Sequence, residues 1–395
     1  MPFEFLSQAL LEREQQGLLR REHVVQAYQQ QYVTIAGRRY INFSSNDYLG
    51  LAQTPFNTST QVGGSGGSPV VTGYSKQHQE LCEYLAAQLN REAVLLMNSG
   101  FAANATLCQS LFSQSGSQSP VKGNLVVDKL AHASIIDGAL ASHANFSRFR
   151  HNDMDHLHSL LAKNNNEGDT LIMSEGVFSM DGDQAPISEL VRISQQHSAW
   201  LSLDDAHGFG VLGQNGMGTV EANALSQSEL PVLMATFGKA IGTGGAFIAG
   251  SQTLIDYLRN FARHYVYSTA FSPMQAAHTL ANIKLCQQEH WRREKLQNNI
   301  RLFKRLMQDA QLEVLSSDTA IQPVLIGCPK LALKVADELR QSGFWVTAIR
   351  TPTVPKKTDR IRITLTTLHE EQDIQHLVFA FAEVMERNKE ERSQL

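Results

Sequence analysis

From Glu92 to about Gly250, short apolar runs alternate with stretches of helical periodicity. The runs lie at 93–97, 124–127, 170–173, 200–203, 232–236 and 246–248. Strand-length runs separated by helices predict α/β architecture with a mostly parallel sheet. In such sheets ligands bind at the carboxyl ends of the strands. Ser99, Asp204 and Lys239 each follow a run, and Ser179 lies a short loop beyond one.

Outside that region the pattern changes. Leu10, Leu11, Leu18 and Leu19 mark one side of an amphipathic helix that, with a connector, occupies 5–32. Residues 33–43 alternate around Gly37-Arg38-Arg39 and predict a hairpin. The glycine- and serine-rich 63–67 is a short loop inside a domain, because helical periodicity resumes over 77–90. A long helical region at 273–309 leads to a second lobe at 312–386, with strands at 322–326, 345–349 and 360–366 and helices at 331–341 and 371–385. The charged tail 387–395 is expected to fray. A chain of 395 residues exceeds one hydrophobic core. The expected division is an N-terminal helix and hairpin segment (1–50), a large domain (51–280) and a smaller α+β domain (281–395).

Composition adds exclusions. Apolar residues make up 42% and charged residues 18%, with a net charge of −4, which is not the basic footprint of a nucleic-acid binder. Cys82, Cys108, Cys286 and Cys328 are scattered, without CxxC or zinc spacing, as expected of reduced thiols in a cytoplasmic protein. The early Glu4 and the lack of a long apolar region at the N-terminus argue against a signal peptide. No apolar run approaches a membrane span.

Lys239 is the most informative residue. It follows a strand-like run, sits among Gly238, Ala240 and the glycine-rich 242–245, and so has room for a flat partner. Asp204 ends another run about 35 positions earlier. A Schiff-base lysine with an acid for a pyridinium nitrogen is the pattern of a pyridoxal phosphate (PLP) enzyme. It is not a Walker A lysine, since Leu233 and Ala240 stand where that motif wants Gly and Ser or Thr. Nor does 63–68 form a dinucleotide fingerprint, because no strand clearly leads into it.

The surrounding residues each have two readings. Asp204 is a polar strand end or the partner of a ring nitrogen, and His207, three residues on, is within reach of the ring's phenolic oxygen. Ser99-Gly100-Phe101 is a plain helix cap or an anion site. His132 is a structural histidine unless a flat ring lies nearby to stack on. His156 and His158, two apart in a helix, point in different directions, and His151 falls before that helix, so a metal site is disfavoured.

Five stretches carry a resemblance: 42–51 (Asn-Phe-Ser-Ser-Asn-Asp-Tyr-Leu-Gly-Leu), 174–183 (Ser-Glu-Gly-Val-Phe-Ser-Met-Asp-Gly-Asp), 204–208 (Asp-Asp-Ala-His-Gly), 236–239 (Thr-Phe-Gly-Lys) and 345–355 (Trp-Val-Thr-Ala-Ile-Arg-Thr-Pro-Thr-Val-Pro). In this order and spacing the chain, from about residue 5 to 386, resembles the α-oxoamine synthase family, PLP enzymes of fold type I, and 345–355 resembles its biotin-pathway branch. The resemblance implies homodimers and decarboxylative condensation of L-alanine with a pimeloyl thioester, on coenzyme A or a carrier protein. It implies that Lys239 binds PLP covalently and moves the α-proton, that Asp204 pairs with the ring nitrogen and that His207 contacts the ring oxygen. His132 stacks on the ring, Gly100 and Phe101 bind phosphate, and Ser179 and Thr236 also contact PLP. Asn46 and Arg362 hold the amino-acid carboxylate, Arg20 and Thr353 bind substrate, and Ser268 and Thr269 reach the phosphate across the dimer interface. Other family members use glycine or serine, and one methyl group is worth only about 1–3 kcal/mol in a pocket. One stretch departs from the family: 52–62 is shorter and more polar than the usual helical segment. A PLP-enzyme-like transcription regulator would need a DNA-binding domain, for which the segment before Tyr40 is too short and insufficiently basic. A lyase or aminotransferase on the same fold is disfavoured by Arg362 and by the match at 345–355.

Overall fold

The computed structural model describes residues 2–57, 62–112, 123–163 and 168–393. The chain forms two compact units. One comprises 54–179 and 184–292, and the other 1–53, 180–183 and 293–395.

The first unit is built on a seven-stranded sheet in the order Ala93–Met97, Ala246–Gly250, Val232–Thr236, Trp200–Asp204, Asp169–Glu175, Gly123–Asp128, Asn145–Phe149. Ala246–Gly250 runs antiparallel to both its neighbours, while the other pairings are parallel. The mostly parallel sheet expected from the apolar runs is therefore present. Side chains alternate between the two faces of each strand. Leu95, Met97, Leu125, Val127, Met173, Met234 and Ile248 belong to one core cluster with Ala103, Leu107, Ile135 and Leu254 from the helices Gly100–Leu111, Ala133–Leu140 and Gln252–Phe261. Alternate residues such as Leu96, Val126, Ile172, Leu233 and Phe247 are also buried, so both faces are covered. That accounts for runs of continuous apolar residues.

The edge strand Asn145–Phe149 is absent from the sequence expectation. Only Phe149 is fully buried in it, so its sequence carries no apolar run. The glycine loop lies inside this unit: Ala270 N–H donates to Gly67 O at 3.0 Å and Ser65 Oγ to Ala270 O at 2.6 Å. Part of the departing stretch 52–62, residues 58–61, lies outside the described residues.

The second unit holds two small sheets. One has the order Val25–Gln29, Tyr32–Ile35, Arg38–Asn42, Phe344–Trp345, and the other Ile321–Leu325, Arg360–Thr364, Thr347–Ile349. The hairpin around Gly37 is as expected. The predicted strand at 345–349 is shared: Phe344–Trp345 pairs with Ile41–Asn42, and Thr347–Ile349 pairs with Arg360–Arg362. The N-terminal helix stops at Gln15, before the Leu18 and Leu19 expected on it, because Gly17 adopts φ +67° and the amide of Leu18 closes on Arg13 O. The long helical region is two helices, Pro273–Gln288 and His290–Asp309, broken at Glu289. The C-terminal helix runs to Arg387 and a short helix Lys389–Ser393 follows, so that much of the tail is ordered.

Candidate active site

Four parallel strands of the first unit end at one edge of the sheet, and the segments that leave them carry the predicted chemistry. Val232–Thr236 leads to Lys239, Trp200–Asp204 to His207, Gly123–Asp128 to His132 and Asp169–Glu175 to Ser179. Lys239 Nζ lies 2.7 Å from His207 Nε2. Thr236 Oγ1 donates to Gly245 O at 2.8 Å and accepts from Gly238 N–H at 3.2 Å, which turns the chain toward Lys239.

Asp204 is buried, and its donors are neutral amides: Asn104 Nδ2 reaches Oδ2 at 2.7 Å and Ala206 N–H reaches Oδ1 at 2.9 Å. Asn104 also donates to Ser134 Oγ at 3.0 Å. Ser134 Oγ lies 2.8 Å from His132 Nδ1, and Ser134 N–H donates to the same nitrogen at 3.2 Å. With Nδ1 as acceptor, the neutral ring carries its proton on Nε2. Although His132 is partly open to solvent, loss of hydration lowers its pKa, with Asp204 opposing and Lys239 reinforcing the shift. The imidazole is therefore neutral at pH 7, as a stacking or hydrogen-bonding group requires. Asn104 lies on the helix that Ser99-Gly100-Phe101 opens, but its link to Asp204 spans 100 positions and has no sequence signal.

The helix Gly100–Leu111 starts beside this network. Ser99 Oγ accepts from Ala102 N–H at 3.2 Å, and Ser99 O accepts from Ala103 N–H at 3.0 Å. The amides of Gly100 and Phe101 have no acceptor within the helix and carry the positive end of its dipole. Thr269 O accepts from Asn98 Nδ2 at 2.8 Å, which ties the segment of Ser268 and Thr269 to that helix start. His151, by contrast, lies outside the helix Met154–Lys163 and rests on Asp128 at 3.0 Å.

The second unit assembles its own group. Arg362 NH1 donates to Asn46 Oδ1 at 3.2 Å and Thr364 Oγ1 at 3.0 Å, and Tyr48 OH donates to Asn46 Oδ1 at 3.3 Å. Arg360, two residues earlier on the same strand, is paired with Asp181 at 2.8 Å. Arg20 NH2 meets Thr353 Oγ1 at 3.5 Å. Both line a cavity of about 750 Å³ together with Arg13, Arg340, Arg350 and Trp345. Burial lowers the pKa of Arg350, and the like charge of Arg20 adds to the effect. Arg350 lies in the 345–355 motif, but sequence gave no role for it.

The first unit's donor set fits PLP. A buried carboxylate held by neutral donors suits a cationic heterocycle, and a lysine amine is available for its aldehyde. Two buried oxygens at the site, Asn104 Oδ1 and Glu175 Oε1, have no hydrogen-bond partner among the described residues. The exposed helix amides match a phosphate.

Comparisons with known proteins agree. A family model described as aminotransferase class I and II matches residues 38–381. The 8-amino-7-oxononanoate synthase of Saccharophagus degradans is 47% identical over 356 residues, covering 88% of this chain and 87% of that protein. That of Vibrio campbellii is 43% identical over 387 residues, covering 96% and 97%. Among solved structures, a high-resolution structure of SPT with PLP superposes with a TM-score of 0.89 at 25% identity, covering 98% of both chains. The 8-amino-7-oxononanoate synthase of Francisella tularensis superposes with a TM-score of 0.74 at 27% identity, covering 89% of this chain and 99% of that one. The chain belongs to the aminotransferase class I and II family and, within it, to the 8-amino-7-oxononanoate synthases.

Proposed function

We propose that this chain is a PLP-dependent acyltransferase that condenses L-alanine with a pimeloyl thioester. The products are 8-amino-7-oxononanoate, carbon dioxide and free thiol, a step of biotin biosynthesis. The names of the relatives support the reaction. The observation that carries the reading is the Lys239 amine 2.7 Å from His207, on the segment that leaves the strand next to Asp204.

When bound, PLP supplies a protonated ring that takes up the electron pair left at the substrate α-carbon. Lys239 holds the cofactor covalently and moves the α-proton. Asp204 keeps the ring nitrogen protonated, since a close opposite charge favours the charged form by about 1–3 pKa units. His207 contacts the phenolic oxygen, and neutral His132 covers the ring face. Gly100 and Phe101 bind phosphate through their amides, while Ser179 and Thr236 complete the cofactor contacts. Asn46 and Arg362 orient the amino-acid carboxylate, for which a guanidinium offers two parallel donors. Arg20 and Thr353 bind the acyl donor. The working form is a homodimer in which Ser268 and Thr269 of one protomer reach the phosphate of its partner. The four free cysteines support a cytoplasmic location, and no helix among the described residues is long and apolar enough to cross a membrane.

The test uses purified protein with pimeloyl-CoA and a panel of amino acids, measuring thiol release and the visible spectrum. Alanine gives the fastest release, and Lys239→Ala abolishes turnover and the visible band of the lysine-bound cofactor together. A variant that keeps both refutes the assignment, and faster release with glycine or serine moves the chain to another branch of the family.

A further inference from the structure

Asn104 has no part in the reaction as derived above, yet two of the assigned residues hang on it. It stands inside the helix Gly100–Leu111 and is only 1% exposed. Its Nδ2 carries two hydrogens, and both are placed: one on Asp204 Oδ2 at 2.7 Å, the other on Ser134 Oγ at 3.0 Å. Its Oδ1 is buried without a hydrogen-bond partner among the described residues. Asparagine suits a helix interior poorly, and a buried carbonyl oxygen without a donor is costly. Stability alone therefore favours an apolar residue at this position, and a local rule broken beside a site points to a functional reason.

The link continues beyond Ser134. That hydroxyl lies 2.8 Å from His132 Nδ1, the nitrogen that also accepts Ser134 N–H and so caps the helix Ala133–Leu140. A hydroxyl that accepts the Asn104 hydrogen still has its own to give, and Nδ1 is the acceptor beside it. Gly138, one turn after Ser134, lets this helix lie against Ala105, the neighbour of Asn104. Three elements thus meet through one amide: two helices and the end of the strand Trp200–Asp204.

We propose that Asn104 is a positioning residue of the cofactor site, whose amide nitrogen holds the Asp204 carboxyl group directly and the His132 ring through Ser134. The group assigned to the ring nitrogen and the group assigned to the ring face then keep a fixed spacing before the cofactor arrives, so binding it requires little further ordering of either. This rests on the reading of Asp204 and His132 as cofactor contacts.

Two variants separate the branches. Asn104→Ala removes both donated hydrogens, and Ser134→Ala removes only the hydroxyl between Asn104 and His132. Crystals of the apoproteins show where the two side chains stand, a readout that needs neither cofactor nor substrate. Asn104→Ala displaces both the Asp204 carboxyl group and the His132 ring, while Ser134→Ala displaces His132 alone. PLP binding, followed by fluorescence quenching, weakens roughly ten- to a hundredfold in Asn104→Ala and severalfold in Ser134→Ala. At saturating PLP, kcat of Asn104→Ala stays about tenfold down with KM for alanine near wild type, because Asn46 and Arg362 are assigned to the alanine carboxylate. The proposal is overturned if Asn104→Ala leaves both side chains in their wild-type places, or if KM for alanine rises while kcat is unchanged. Displacement of Asp204 alone overturns the branch through Ser134. An unmoved His132 in Ser134→Ala does the same, and that variant decides the matter even where Asn104→Ala does not fold. Displacement without loss of PLP affinity upholds the positioning and instead counts against the cofactor roles of Asp204 and His132.

Discussion

Asp205 follows Asp204 in the chain but turns into the protein. It is fully buried, and accepts from Thr219 N–H at 2.7 Å and Thr219 Oγ1 at 2.6 Å. A Cβ on Gly176, Gly208 or Gly218 would come within 2.6, 2.1 or 2.0 Å of its oxygens, so those three glycines leave the space its carboxyl group fills. Burial pushes its pKa up to about 7, against the two Thr219 bonds and with help from Asp204. The unfolded group titrates near ~3.9. Between these values the native state holds a proton the unfolded chain has lost, so stability falls as pH rises from about 4 to about 7 and the loss is complete above that. The expected fall is on the order of 4 kcal/mol. Urea midpoints of the apoprotein between pH 4 and pH 8 measure it. Asp205→Asn removes that part of the pH slope while costing about 1–3 kcal/mol at low pH, because its amide N–H₂ faces the Thr219 donor. Equal slopes in the two proteins contradict the account.

At the scale of elements, the site depends on how closely the helices Gly100–Leu111 and Ala133–Leu140 approach. Gly138 sits at their contact, and a Cβ there would lie 2.8 Å from Ala105 Cα and 3.2 Å from Cys108 Cβ. Alanine for glycine inside a helix gains up to about 1 kcal/mol from propensity. Pushing two packed helices apart costs about 1–3 kcal/mol, so Gly138→Ala is expected to destabilise. Because these helices start beside Gly100 and His132, PLP affinity falls with it. Urea unfolding together with a cofactor titration checks both effects. An unchanged midpoint shows that the helices yield without cost. Which elements were legible in sequence follows from the same packing. Strands such as Val232–Thr236, buried on both faces, announce themselves as apolar runs. Asn145–Phe149 and Val25–Gln29 do not, since each presents mostly accessible residues. The break at Val346 depends on which strand each half of 345–349 pairs with, and no local signal encodes that. Lys239, Asp204 and His207 were legible because motif and strand end coincide. Asn104 was not marked for a role, because its partners Ser134 and Asp204 lie 30 and 100 positions away in the chain.

At the scale of the whole molecule, the question is which chain completes each site. Val71 and Tyr267 are large apolar residues exposed by 76% and 74%, near the segment of Ser268 and Thr269. Ser68 Oγ donates to Val266 O at 2.7 Å, which ties the two stretches into one patch. Apolar surface of this kind suits an interface between two copies of the chain. If Ser268 and Thr269 serve the partner's phosphate, two inactive proteins can rescue each other. Lys239→Ala lacks the lysine but offers an intact Thr269, and Thr269→Asp offers a repelling carboxylate but keeps its lysine. In a mixed dimer, the site with the Thr269→Asp chain's lysine receives the other chain's native threonine, so one of its two sites is whole. Random exchange of subunits therefore restores about one quarter of wild-type thiol release, from two nearly silent parents. If each chain used its own Thr269, both sites of the mixed dimer would be defective. Mixing would then restore nothing, even where sedimentation shows the mixed dimer forming.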